Sequence, residues 1–207
     1  MNDLPDSYPS LEDGPEVEIK IKASRFIGQA FRATSEDEAK ERLQQVRKRY
    51  HDARHHCWAY RIGQPGAVAE KSDDDGEPSS TAGPPILEAI RRHGAFEVLV
   101  VVTRYFGGTK LGTGGLIRAY DEGARCALEG TAALTIWCDA SLAITCDYET
   151  LGAVEATLAR LGEPIVAVER VFDAEPRFEV RVRRSKAEEL SAAVIEATAA
   201  KARVERI

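Results

Sequence analysis

The sequence predicts an α+β protein of two domains, and three observations lead there. Residues 141–207 read strand, helix, strand, strand, helix, strand, the order of a split βαβ or ferredoxin-like domain. Residues 96–106, FEVLVVVTRYF, form a nearly unbroken apolar run, which fits a strand covered on both faces. A glycine-rich turn and an amphipathic helix follow it, so a second ordered region precedes residue 131. A length of 207 residues suits one large domain or two small ones, and 43% hydrophobic with 30% charged residues is ordinary for a soluble globular chain.

Taken in order, MNDLPDSYPSLEDGPE reads as a flexible acidic tail over 1–15, with neither the basic nor the apolar part of a secretory signal. Val17, Ile19 and Ile21 alternate with charges as a half-buried strand, and 25–34 returns as a second one. Ser35 and Glu38 form a capping box that starts a helix over 36–50. Its acidic first turn and its Arg47, Lys48 and Arg49 complement the helix dipole. HHCWAYRIG (55–63) is a strand, and the Gly-, Pro-, Ser- and Asp-rich residues 64–83 read as loop. Pro84 and Pro85 open a helix that Gly94 ends. After the strand at 96–106 and the glycine loop, Leu116, Ile117, Tyr120, Ala124 and Leu128 pattern a helix over 114–129.

The domain boundary is expected near 131–140, giving domains at 16–135 and 136–207. In the second, 141–147 is a strand and 148–162 a helix closed by Gly162. Strands follow at 165–172 and 177–184. Ser185 and Glu188 form a second capping box for a helix running to about Lys201, before a last strand at 203–207.

Net charge is −6: −4 over residues 1–15, zero over 16–140 and −2 over 141–207. A nonspecific nucleic-acid binder usually carries a basic excess, so any RNA contact here has to come from a local patch. Cys57, Cys126, Cys138 and Cys146 make no CxxC pair and no zinc spacing, and reduced thiols in a cytoplasmic protein are expected. Cys57 beside His55 and His56 reads as a small core residue rather than a nucleophile. No apolar run approaches the ~18 residues of a membrane span.

Three stretches carry chemistry. In RYFGGTKLGTGGLIRAY (104–120), Gly107, Gly108, Gly112, Gly114 and Gly115 lie between a strand and a helix, close to Arg104, Lys110 and Arg118. Backbone N–H groups and a helix N-terminus can receive an anion there. The same glycines also suit tight turning and close packing. The Walker A and GxGxxG spacings both fail. In SDDDGEPSSTAGPP (72–85), Asp73, Asp74, Asp75 and Glu77 read chiefly as a solvated turn, with a metal or general-base role as the alternative. In ARHHCWAY (53–60), His56, Trp58 and Tyr60 share one strand face, and a core aromatic row is the expectation for Trp58.

Together, ARHHCWAY, SDDDGEPSSTAGPPIL and VVVTRYFGGTKLGTGGLIRAY resemble the YigZ/IMPACT family, with one aspartate more in DDDGE than the family's acidic run. The resemblance covers residues 17–130 and, more weakly, the C-terminal half. It implies a first domain like domain two of ribosomal protein S-five, of βαβ type, and a second like domain five of elongation factor G. It also implies a role in translation. The expected function is a non-enzymatic RNA- or ribosome-associated regulator, monomeric, without cofactor or metal, with a protein partner open. Arg104, Lys110, Arg118 and the Gly107–Gly115 backbone are the expected phosphate contacts, with His55 and His56 as neighbours. An enzyme acting on a phosphorylated small molecule, and a protein-interaction module, are the alternatives.

Overall fold

A computed structural model describes residues 5–207. The chain divides into two compact units, Tyr8–Ile136 and Trp137–Ile207 with residues 5–7. The N-terminal unit contains β1 (Ser7–Leu11), β2 (Val17–Ile21), β3 (Ser24–Arg32), α1 (Glu36–Arg49), β4 (His55–Gln64), β5 (Ala67–Asp73), α2 (Gly83–His93), β6 (Val98–Tyr105), α3 (Thr113–Glu129) and β7 (Ala133–Trp137).

Five of these strands form an antiparallel sheet in the order β2-β3-β6-β4-β5. The apolar run of β6 places it centrally, and all but its last residue are buried. One face of the sheet carries Phe26, Cys57, Ala59, Val100 and Val102 against Ile86 and Ile90 of α2 and Leu116, Tyr120 and Ala124 of α3. The other carries Phe31, Tyr60, Leu99 and Val101 against Leu43 and Val46 of α1. Trp58 stacks on Tyr60 at 5.6 Å on this second face, so the aromatic row belongs to the core.

Two expectations are corrected here. Residues 67–73, read as loop, form β5, which completes a hairpin with β4 from Trp58↔Asp73 to Gln64↔Ala67. Gly66 at φ 90 makes its turn, and the polar exterior of this edge strand hid its period. The expected flexible tail contains β1, which pairs with β7 and buries Tyr8, Ser10 and Leu11, while residues 1–4 lie outside the described residues. The first capping box forms in part. Ser35 Oγ accepts from Glu38 N–H at 3.2 Å, but the Glu38 carboxylate accepts from Thr34 instead.

The C-terminal unit contains β8 (Asp139–Thr145), α4 (Leu151–Leu161), β9 (Ile165–Phe172), β10 (Pro176–Arg183), α5 (Ala187–Ala197) and β11 (Arg203–Arg206). Its antiparallel sheet runs β11-β8-β10-β9. Phe178, Val180 and Val182 alternate inward with Leu142 and Ile144 against Val154, Leu158, Leu190 and Val194 of the helices. The second capping box does not form. Ser185 N–H and its hydroxyl both donate to Asp6, and a 3-10 turn over Arg184–Lys186 leads into α5. This helix ends at Ala197 rather than near Lys201, because Ala199 and Ala200 take left-handed φ of 48 and 62. No described helix is long and apolar enough to cross a membrane.

Candidate functional site

Two loops meet at one end of the five-stranded sheet. The first leaves β6. Gly107 stands there because a Cβ would lie 1.9 Å from the carbonyl oxygen of Ala23, a backbone atom that cannot swing aside. Its N–H donates to Ser24 Oγ at 3.3 Å, so this amide leaves the set of expected anion donors. Gly108 and Lys110 beyond it are exposed. Gly112, at φ 72, then turns the chain into α3, and no side chain caps the helix. The first backbone bond runs from Leu116 N–H to Gly112 O at 3.0 Å. The N–H groups of Thr113, Gly114 and Gly115 carry no hydrogen bond among the described residues, as an uncapped helix start requires.

The second loop leaves β5. Asp74 accepts three backbone N–H bonds, from Ser80 at 2.7 Å, Ala82 at 2.9 Å and Gly83 at 2.8 Å, and so caps α2 across the loop. Asp73 accepts from Asp75 N–H at 2.7 Å. Asp75 accepts from Arg47 at 2.6 Å and from His56 N–H at 2.7 Å. These aspartates organise the loop. Among the described residues no group of three or more His, Cys, Asp or Glu side chains could hold a metal ion. Glu77 points inward. Its Oε1 accepts from Arg104 at 2.6 Å and from the Tyr120 hydroxyl at 2.8 Å, and the two charged side chains are only 4% and 7% exposed.

This pair alters the reading of Arg104. Expected as a phosphate contact, it is a buried cation whose Nη1 is bound to Glu77, and its guanidinium lies 5.5 Å from the ring centres of both Phe26 and Phe106. Cys57, beneath the same network, donates its thiol to Asp74 O at 3.0 Å. Burial pushes that thiol, and the phenol of Tyr120, far above their ordinary ranges, so neither supplies an anion at neutral pH.

The loops line one cleft of about 420 Å³. Arg54 and Lys110 give it positive charge, His55 lines it beside them, Phe106, Leu111 and Leu116 give it apolar wall, and Glu77 and Arg104 lie in its lining with Gly112 and Thr113 at the start of α3. The Nδ1–H of His55 donates to Asp75 O at 2.9 Å. Lys110 and Arg54 make no ion pair among the described residues. Phe106 is 54% exposed.

Not every expected residue reaches this cleft. Arg118 is exposed on α3 beside Gly114, with its Nη1 3.8 Å from the position a Gly114 Cβ would take, and it is not part of the cleft lining. His56 is buried: Nε2 donates to Tyr50 O at 3.0 Å and the ring lies 3.7 Å from Asp75. Arg54 and Phe106 went unread in the sequence. Arg54 precedes a strand and Phe106 follows one, and neither position has a periodic signal.

The burial of His56 has a measurable consequence. Desolvation lowers its pKa, so the neutral ring is the folded form. Below the unfolded value of about 6.5 the unfolded chain binds the proton and the folded chain resists it, so stability falls as pH falls. Urea midpoints at pH 7.5 and 5.5 should differ more for the wild type than for His56→Asn. Equal differences would remove His56 as the cause.

The Impact N-terminal domain matches residues 22–128, which hold β4, both loops and nearly all of α3. The IMPACT family member YvyE of Bacillus subtilis is 41% identical over 152 residues, 73% of this chain and 70% of that one. The IMPACT family member YigZ of Escherichia coli is 37% identical over 148 residues, 71% of this chain and 72% of that one. A crystal structure described as that of a hypothetical protein aligns with 99% of this chain and 98% of its own at a TM-score of 0.69 and 31% identity. With its domain signature placed on the sheet and loops that build the cleft, this chain belongs to the IMPACT family.

Proposed function

We propose that the chain binds RNA through the cleft between the acidic and glycine-rich loops and acts in translation without catalysing a reaction. The observation that carries this is the grouping of Arg54, His55 and Lys110 around the exposed ring of Phe106 and the uncapped start of α3. Cations with helix amides suit phosphate, and an exposed aromatic beside them suits a stacked base. Such a patch answers the charge problem, since binding needs local positive potential and not a basic chain. The translation role rests on the family resemblance. A cytoplasmic monomer is part of this reading. So are an S-five domain-two-like fold for residues 16–135 and a ferredoxin-like fold for 136–207, the latter supported by the strand order β11-β8-β10-β9.

Filter binding of ribosomal RNA across a salt series tests it. Each phosphate contact to a single strand contributes about 0.7 to the slope of log affinity against log salt. Arg54→Ala with Lys110→Ala should lower affinity and flatten the slope by roughly 1.4, twice that increment. Phe106→Ala should weaken binding with the slope unchanged, at a cost of about 1–3 kcal/mol for a lost stack. No binding at low salt, or full binding by the double variant, would end the reading.

A further inference from the structure

We propose that the cleft is built for a phosphomonoester, the terminal phosphate of a nucleotide, in place of an internal phosphodiester of a strand that passes through. The proposal rests on the reading of this cleft as a phosphate site and narrows its ligand.

The charge of a ligand has to match the cations that line the cleft. A phosphodiester offers two non-bridging oxygens and one negative charge. A phosphomonoester offers three oxygens and about −1.5 to −2 at neutral pH. Lining the cleft are Lys110 and Arg54, both without ion pairs among the described residues, with Gly112 and Thr113 at the start of the 17-residue α3. The single charge of a diester answers one of these two cations, and the second charge of a monoester answers the other.

Arg104 adds a buried cation to that lining, its side chain 7% exposed. Its Nη1 is committed to Glu77, yet its Nε–H is buried and has no acceptor among the described residues. Leaving a buried donor on a cation unpaired is costly, and this one belongs to a residue in the cleft lining. An anion seated in the cleft adds a second counter-charge beside this guanidinium.

The volume of about 420 Å³ falls within the range of small-ligand pockets and suits one nucleotide. Glu77 in the cleft wall is already paired with Arg104, which leaves the charge of Lys110 and Arg54 for a ligand.

Fluorescence anisotropy on the full chain tests the proposal. The probes are one labelled RNA oligonucleotide prepared with a 5′-monophosphate, with a 3′-monophosphate, and with hydroxyls at both ends. Unlabelled AMP and inorganic phosphate serve as competitors. One phosphorylated form should bind about tenfold more tightly than the hydroxyl-ended form, a ratio that charge-assisted hydrogen bonds readily supply. Lys110→Ala with Arg54→Ala should bring that ratio to one, and circular dichroism should show an unchanged fold for these two exposed-side substitutions. Displacement by AMP at the oligonucleotide's own working concentration assigns the site to free nucleotides, and its absence assigns it to RNA ends. Equal binding of all three forms, weakened by the double variant, overturns this inference and leaves RNA binding standing. Binding of AMP without binding of any oligonucleotide overturns RNA binding and supports the phosphomonoester. Binding of neither overturns both.

Discussion

Glu77→Ala lowers the unfolding free energy of the N-terminal unit by about 3–5 kcal/mol, the cost of breaking a buried ion pair by removing one partner. The pair qualifies because its side chains are 4% and 7% exposed at an N···O distance of 2.6 Å. Removing the carboxylate strands the Arg104 cation under Phe106 and leaves the Tyr120 hydroxyl without its acceptor. Tyr120 is fully buried at the centre of the cluster between the sheet and α3, so water reaches it poorly. Glu77→Gln should cost less, since an amide oxygen still accepts from Tyr120. Adding Arg104→Met to Glu77→Ala should recover stability by removing the stranded charge, and the coupling in that double-mutant cycle measures the pair. Urea unfolding followed by Trp58 emission in a Trp137→Phe background reads this unit. With a urea slope of about 1–3 kcal/mol per molar, the midpoint should drop by a molar or more. A midpoint within error of the wild type would show that the pair is not what holds the two loops together.

The same pair shows what a sequence can and cannot disclose. The strand at 98–105 was legible because its apolar run is continuous, and α1 was legible from Ser35 and the sorted charges at its ends. The C-terminal β-α-β-β-α-β order was legible because period-two and helical patterns alternate there without a break. β5 was not, because an edge strand with most of its residues exposed has no apolar face to reveal a period. β1 was not, because its partner lies more than a hundred residues away and its own composition is that of a loop. In the site, Lys110 and the glycines announced themselves by density. Arg104 and Arg118 looked alike as cations near glycines, yet one is buried against Glu77 and the other lies outside the cleft lining. Only the register of β6 against β3, with Phe26↔Arg104, turns Arg104 toward the core. Contacts set by tertiary pairing leave no local trace, which is why Glu77 read as one more acid in a run of acids.

Asp74→Ala should cost about 2–3 kcal/mol, since three backbone N–H groups lose a charged acceptor at once and α2 loses its only anionic cap. No side chain of the neighbouring Ala82 can replace it, and α2 has no acidic residue in its first turn. Asp74→Asn keeps one oxygen for Ala82 and Gly83 and gives up the Ser80 bond and the charge, so roughly half the loss is expected. Hydrogen exchange should localise the effect: the amides of Ser80, Ala82 and Gly83 should lose protection before those of β6. The experiment also separates the two readings of the acidic run. If Asp74 caps a helix, the loss is the same in EDTA and in magnesium, because backbone N–H groups are its partners. A loss that appeared only in magnesium would make the carboxylate a metal ligand and would overturn the structural role derived for the whole loop. An unchanged midpoint in both media would show that the cap is dispensable. The wall that the acidic loop gives the cleft would then need another support than the three bonds to Asp74.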